Sequence, residues 1–189
     1  MLSFGTGNME MEEMRTTLGG RIHTGDIALW NVRMAQPDGQ ALRETFFHLL
    51  SDEDKRVSDN AAWVLSHARG GCRGYLADRQ SDLIGMVMAA PTATFRRLLL
   101  SILLKQSFRK ETLRVDFLDF CMQGMADSRQ SVGVRALCLY LSWAQCRHHP
   151  ELVDELRMMI GMLDGETMTS GLRCAKRRVL AEMDKVKEK

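Results

Sequence analysis

The sequence predicts an all-α chain built from about five helix pairs, and three observations carry that expectation. Apolar residues recur at spacings of three and four along most of the chain, as one buried face of a helix requires. The composition suits helices, with 14 methionines against 6% aromatics and only three prolines, whereas strands favour β-branched and aromatic residues. The same unit of helix, turn and helix also returns at a spacing of about 38 residues, which is how repeat architectures announce themselves.

The copies can be followed in order. Residues 24–36, TGDIALWNVRMAQ, stand about one period before the clearest copy. In that copy QALRETFFHLL (40–50) places Leu42, Phe46, Leu49 and Leu50 on one side. An acidic turn, SDED, precedes a second helix whose core face is Val57, Ala61, Val64, Leu65 and Ala68, acidic residues being favoured at a helix start. Gly70 and Gly71 are expected to stop that helix. GYLADRQSDLIGMVMAA (74–90) and PTATFRRLLLSILLK (91–105) form the next pair.

At 113–146 the first helix carries Leu113, Phe117, Leu118, Phe120 and Met125, and the second carries Val134, Leu137, Leu141 and Ala144. The last pair spans 151–183 and becomes polar toward its end, as a capping helix should. Anchoring on Ala61, Ala136 and Ala175 gives offsets of 75 and 39, two periods and one.

LLSDEDKRVSDNAAWVL (49–65) resembles a HEAT repeat in its leucine pair, acidic turn, valine, alanines and leucine. Asp52, Val57, Ala61, Ala62 and Leu65 match that pattern. Asp127, Val132 and Ala136 match part of it, as do Asp164, Arg173 and Ala175. The period falls just under the roughly 40–47 residues usual for HEAT and armadillo units. The resemblance implies a right-handed α-solenoid, an α-α superhelix whose second helices line a concave face. It gives a flexible N-terminus over residues 1–8 and a single repeat domain over 9–189.

Charge and cysteine usage bound the function. The chain is close to neutral at +2. Residues 1–70 hold 7 Lys/Arg against 10 Asp/Glu, and the remainder 19 against 14, a mild asymmetry. Five cysteines (Cys72, Cys121, Cys138, Cys146, Cys174) form no CxxC pair and read as buried free thiols in a reducing compartment, hence a cytoplasmic address. The opening MLSFGTGNMEMEEM is not a signal peptide. No run approaches the roughly 18 apolar residues of a membrane span.

Catalytic and metal-binding patterns are weak. Ser58, Asp59 and His67 suggest a triad, but on one helix Ser58 and His67 lie about 13 Å apart along the axis at ~1.5 Å per residue. No GxSxG elbow is present either. Cys146, His148 and His149 match no standard zinc spacing; Pro150 and Glu151 instead suit a helix start. Asp116 with Asp119, and Asp154 with Glu155, read as solvated helix faces. GGCRG (70–74) has no strand before it and is no phosphate loop. No catalytic residue, metal or cofactor is assigned.

The candidate binding residues lie on the second helices. Arg96, Arg97, Arg135, Arg173 and Arg177, with Arg33, Asn60 and Lys176, occupy positions off the core face, several about one period apart. Such a row could grip phosphates or acidic side chains, or simply snorkel over apolar surface. Trp30, Trp63 and Trp143 share these helices, with Trp63, Asp59 and Asn60 expected at the groove. The leading expectation is a non-enzymatic scaffold binding a protein or peptide on the concave face. The alternative is nucleic-acid binding, including a relative of the HEAT-like alkylpurine DNA glycosylases. In that case Asp59, Trp63 and Arg97 would sit at a basic groove, although no tryptophan–aspartate grouping matches that family's site. A self-associating module is a third expectation.

Overall fold

The computed structural model of the chain describes residues 6–163 and 168–187. Among them there are eleven α-helices, two short 3-10 turns and no strand. Contacts divide the chain into two compact units, residues 1–80 and 81–189.

The first unit contains α1 (Thr6–Gly19), α2 (Thr24–Ala35), α3 (Gln40–His48), α4 (Lys55–Ser66) and α5 (Gly71–Ala77). Helix α1 takes in residues 6–8 of the stretch expected to be flexible; residues 1–5 lie outside the described residues. Helix α4 is the centre, packed by α1, α2 and α3. It buries Val57, Ala61, Ala62, Val64 and Leu65, so two alanines let neighbouring backbones approach while larger residues fill the flanks. Phe46 is fully buried, and its ring lies 5.4 Å from that of Trp30.

The acidic turn before α4 is a hydrogen-bonded device. Asp52 accepts from the Asp54 amide at 2.8 Å, and Asp54 caps α4 by accepting from the Arg56 amide at 2.8 Å. Both are short-range motifs that aspartate forms readily. Asp52 also takes Arg15 Nε of α1 at 2.7 Å, which ties the first helix to this turn.

The glycines behave otherwise than expected. Helix α4 ends at Ser66 with His67 as its cap, and Gly70 begins the next helix. Its φ of 49° suits glycine, and a Cβ there would lie 3.1 Å from the Ala35 Cβ. At Gly39, between α2 and α3, a Cβ would lie 2.4 Å from the Arg33 carbonyl oxygen. The stretch 74–90 is also two helices rather than one, α5 and α6 (Gln80–Met88). The break is covered by Arg79, which lies 3.6 Å over the Tyr75 ring and donates to the Tyr75 carbonyl at 3.3 Å.

The second unit holds most of α6, then α7 (Ala93–Leu103), α8 (Val115–Ala126), α9 (Val132–Cys146), α10 (Pro150–Met162) and α11 (Ser170–Lys187). Helix α9 is its hub, packed by α7, α8, α10 and α11. Thr92 and Ser131 cap α7 and α9 by accepting from the amides of Phe95 and Val134, and Pro150 opens α10. The turn before α9 repeats the one before α4: Asp127 accepts from the Arg129 amide at 3.0 Å and Arg129 Nε at 2.9 Å. Asp164, the third matching residue, lies outside the described residues. The anchor alanines Ala61 and Ala175 are buried, and Ala136 packs in part against Leu163, Met168 and Leu172.

These turns make the fold acid-sensitive. Hydrogen bonding to Arg15 holds the Asp52 carboxyl below its ordinary range, and hydrogen bonding to Arg129 takes Asp127 down to about 2. Both carboxylates bind fewer protons folded than unfolded, so their contribution is present above the unfolded value near ~4 and is lost as pH falls through the depressed folded values. Asp52→Asn is expected to lower stability at pH 7 and to flatten the loss as pH falls below about 4, read by denaturant titration across pH. An unchanged acid limb in that variant would remove Asp52 from this role.

Candidate binding surface

The structure separates the residues singled out in the sequence into two groups. The first directs its donors inward. Asn60 Nδ2 donates to the Leu18 carbonyl at 2.7 Å, at the end of α1. Arg96 donates to the Ala90 carbonyl at 3.0 Å and lies 5.8 Å from the Phe120 ring centroid. Arg135 Nε donates to the Met125 carbonyl at 3.0 Å, and Lys176 to the Leu163 carbonyl at 3.4 Å. Arg43 does the same toward Gln36 at 3.0 Å, and Arg73 toward Ala68 at 3.1 Å. In each case a side chain on one helix meets a carbonyl at, or within two residues of, the end of an earlier one, the end where acceptors lack helical partners and the dipole is negative.

The second group is free of such ties. Arg97, Arg173 and Arg177 are exposed, and none forms an ion pair among the described residues. Asp59 and Trp63 are half-buried; burial pushes the Asp59 carboxyl up, with Lys55 opposing. The remaining candidates do not assemble. Ser58 Oγ donates to the Lys55 carbonyl, while His67 Nδ1 lies 2.9 Å from the Trp63 carbonyl oxygen. Cys146 is buried, its thiol pushed up to about 12 by desolvation, whereas His148 is exposed. Asp116 pairs with Arg114 (Nε to Oδ1, 2.8 Å). No cluster of three potential metal ligands occurs among the described residues.

The most built surface lies elsewhere, on α2. Ile27, Trp30, Asn31 and Met34 fall at i, i+3, i+4 and i+7 and form its buried face. One of the four is polar. Asn31 is 5% exposed, and its Nδ2 donates to the carbonyls of Ile27 at 2.9 Å and Val64 at 3.0 Å. Two carbonyl acceptors fix which end of the amide is nitrogen. The other end, Oδ1, is buried and receives no donor from the described residues. Asn31 lines a cavity of about 310 Å³ with Ile27, Ala28, Val32 and Ala35, and the polar Thr24, Gln36, His67 and Arg69 complete the lining.

Beside the cavity the outward face of α2 is apolar where a solvated helix should be polar. Leu29 is 59% exposed and Val32 61%, three residues apart on one face. Sequence periodicity contained both signals, an asparagine inside an apolar stripe and two aliphatics off it. A second cavity of this unit, about 580 Å³, is lined by charges of both signs, Glu13, Arg33 and Asp38, with Trp30. In the second unit a cavity of about 570 Å³ includes Arg96, Phe120, Asp127 and Arg129, the first two already joined and the last two paired.

A family model for the HEAT repeat domain matches residues 14–183. The chain belongs to the HEAT repeat family. The matched span runs from α1 to α11, so the repeat extends well past the best-patterned copy at 49–65. No curated protein matches the chain. HEAT repeats stack helix pairs so that each buries its neighbour's apolar face, which explains why polar ties between consecutive helices recur with the repeat.

Arg135→Met, which keeps the apolar stem and removes the donor, is expected to cost about 1 kcal/mol. Arg97→Met is expected to stay within about 0.5 kcal/mol. Thermal unfolding of both variants measures the contrast, and equal midpoints would remove the structural role assigned to Arg135.

Proposed function

We propose that this HEAT-repeat chain is a protein-interaction module that docks an aliphatic- or aromatic-anchored segment of another protein on the outward face of α2. The observation that carries the reading is the exposure of Leu29 and Val32 beside a largely apolar cavity. Apolar side chains clustered against a cavity mark docking surfaces more often than scattered ones do. The HEAT repeat family supports a scaffold role, because a stack of helix pairs offers a long rigid surface. The charge nearby favours an acidic segment. Arg69 at the cavity rim and Arg33 on α2 are exposed cations with no ion pair among the described residues.

Nucleic acid is the less supported partner. A phosphate-gripping row would draw on several of the candidate arginines, yet Arg96 and Arg135 point guanidinium donors at carbonyls of their own unit. Arg97, Arg173 and Arg177 remain as the exposed cations of the second unit's candidates.

The test is selection of peptides from a random display library on the full chain, with affinities of the winners measured by calorimetry. Leu29→Asp and Val32→Asp are expected to weaken those peptides at least tenfold, about 1.4 kcal/mol, without shifting the thermal midpoint. Winners indifferent to both variants but lost on Arg97→Glu or Arg173→Glu would move the site to the second unit. Steeply salt-dependent binding of duplex DNA in place of peptides would replace the reading.

A further inference from the structure

Helix α10 also carries apolar side chains where a solvated helix should be polar. Val153, Leu156 and Ile160 form its buried face. Met158 and Met162, one turn apart on the opposite side, are 66% and 75% exposed. Glu151 and Glu155 continue that stripe toward the start of the helix and are exposed as well. The stripe is therefore acidic in its first half and apolar in its second.

Helix α11 supplies the opposite charge. Two ties set it antiparallel beside α10: Arg157 donates to Asp184 at 2.8 Å and Lys176 to the Leu163 carbonyl at 3.4 Å. Its buried stripe is Leu172, Ala175, Val179 and Met183. Arg173 lies three residues before Lys176, and Arg177 seven before Asp184, so both share the side of α11 that turns from its buried stripe toward α10. Both arginines are exposed and form no ion pair among the described residues. Other charges nearby are matched already, Arg157 with Asp184 and Lys185 with Glu182. Glu151 has a long approach of 3.8 Å to His149 Nδ1.

We propose that this face of α10 and α11 associates with the same face of a second copy of the chain about a two-fold axis. Helix α10 lies antiparallel on its counterpart, and Met158 and Met162 of one copy meet those of the other. At about 1.5 Å per residue, Glu155 stands ~7.5 Å to one side of the midpoint of the two methionines. In the register that Lys176 sets at Leu163, Arg177 and Arg173 of the second copy stand ~3 and ~9 Å to that same side. The carboxylate thus falls between two guanidinium groups, with Glu151 just beyond. Two-fold symmetry makes the match twice, so the face complements itself. Its extent is about 20 Å along α10 and two ~10 Å helices wide, roughly 400 Å² per copy against the ~800 Å² of a standard complex. The dimer is accordingly weak and forms reversibly with concentration.

The test follows the full chain by sedimentation velocity and amide NMR up to millimolar concentration. The native chain is expected to move from monomer toward dimer by mass action, with concentration-dependent shifts at Glu155, Met158, Met162, Arg173 and Arg177. That measurement needs no variant. Met158→Asp is expected to weaken association at least tenfold. The decisive comparison is a charge exchange. Glu151→Arg with Glu155→Arg in one chain, and Arg173→Glu with Arg177→Glu in another, each set like charges across the axis, and each is expected to stay monomeric. Their equimolar mixture restores both sets of ion pairs and is expected to sediment as a heterodimer.

A native chain monomeric up to millimolar concentration, or a mixture no more associated than its parts, would overturn the proposal. Shifts confined to Leu29 and Val32 would overturn it too, by placing self-association on α2. The docking face on α2 belongs to the other unit and does not depend on this outcome.

Discussion

The constraint on which the rest depends is the need to satisfy helix ends in a chain made almost wholly of helices. Every helix leaves carbonyls without partners at its last turn, and in each unit tight turns bring the next helix start beside them. The chain answers with long donors on the following helix, directed at carbonyls in or just past the helix end: Arg43 toward Gln36, Arg73 toward Ala68, Arg96 toward Ala90, Arg135 toward Met125 and Lys176 toward Leu163. Asn60 serves α1 in the same manner from α4. A cation is the better choice at this position, since the carbonyl end of a helix carries partial negative charge. The polar residues that recur with the repeat are thus a consequence of its turns.

Packing then follows from two hubs. Helix α4 accepts α1, α2 and α3, and α9 accepts α7, α8, α10 and α11. A helix contacted on several sides cannot be amphipathic in the simple sense, and α9 accordingly buries polar groups as well. Ser142 and Gln145 are almost fully covered, and among the described residues only Gln145 Nε2 of the two donates a bond, to the Leu141 carbonyl at 3.2 Å. The aspartates of the preceding turns, Asp52 and Asp127, set where each hub begins. Both hold the amide two residues on, so the acidic character of the turns is local backbone chemistry as much as dipole attraction.

This explains what the sequence could and could not disclose. Helices α4, α7, α9 and α11 were legible because periodicity reports burial, and Val57, Ala61, Leu65, Val134 and Leu141 are buried as their spacing demands. The role of Gly70 was not, because a glycine after a helix looks the same whether it stops one or starts the next; only the approach of Ala35 decides. The break between α5 and α6 was hidden since no proline or glycine marks it. The arginine row was visible, but period alone cannot tell a residue facing solvent from one bent back onto a carbonyl. That distinction needs the position of Met125 relative to Arg135, a tertiary fact.

Helix α2 departs from these rules on both of its faces. On the buried side an asparagine stands where Ile27, Trp30 and Met34 would call for another aliphatic, and half of its amide is left without a donor. On the open side Leu29 and Val32 face water. Each departure is unfavourable for the isolated chain, the first through desolvation of an acceptor and the second through exposed apolar area. Elsewhere in the same unit the buried Ser66 hydroxyl donates to the Trp63 carbonyl at 2.7 Å. An apolar segment laid over Leu29 and Val32 would relieve the second of these departures, which is why the proposed docking face is placed there.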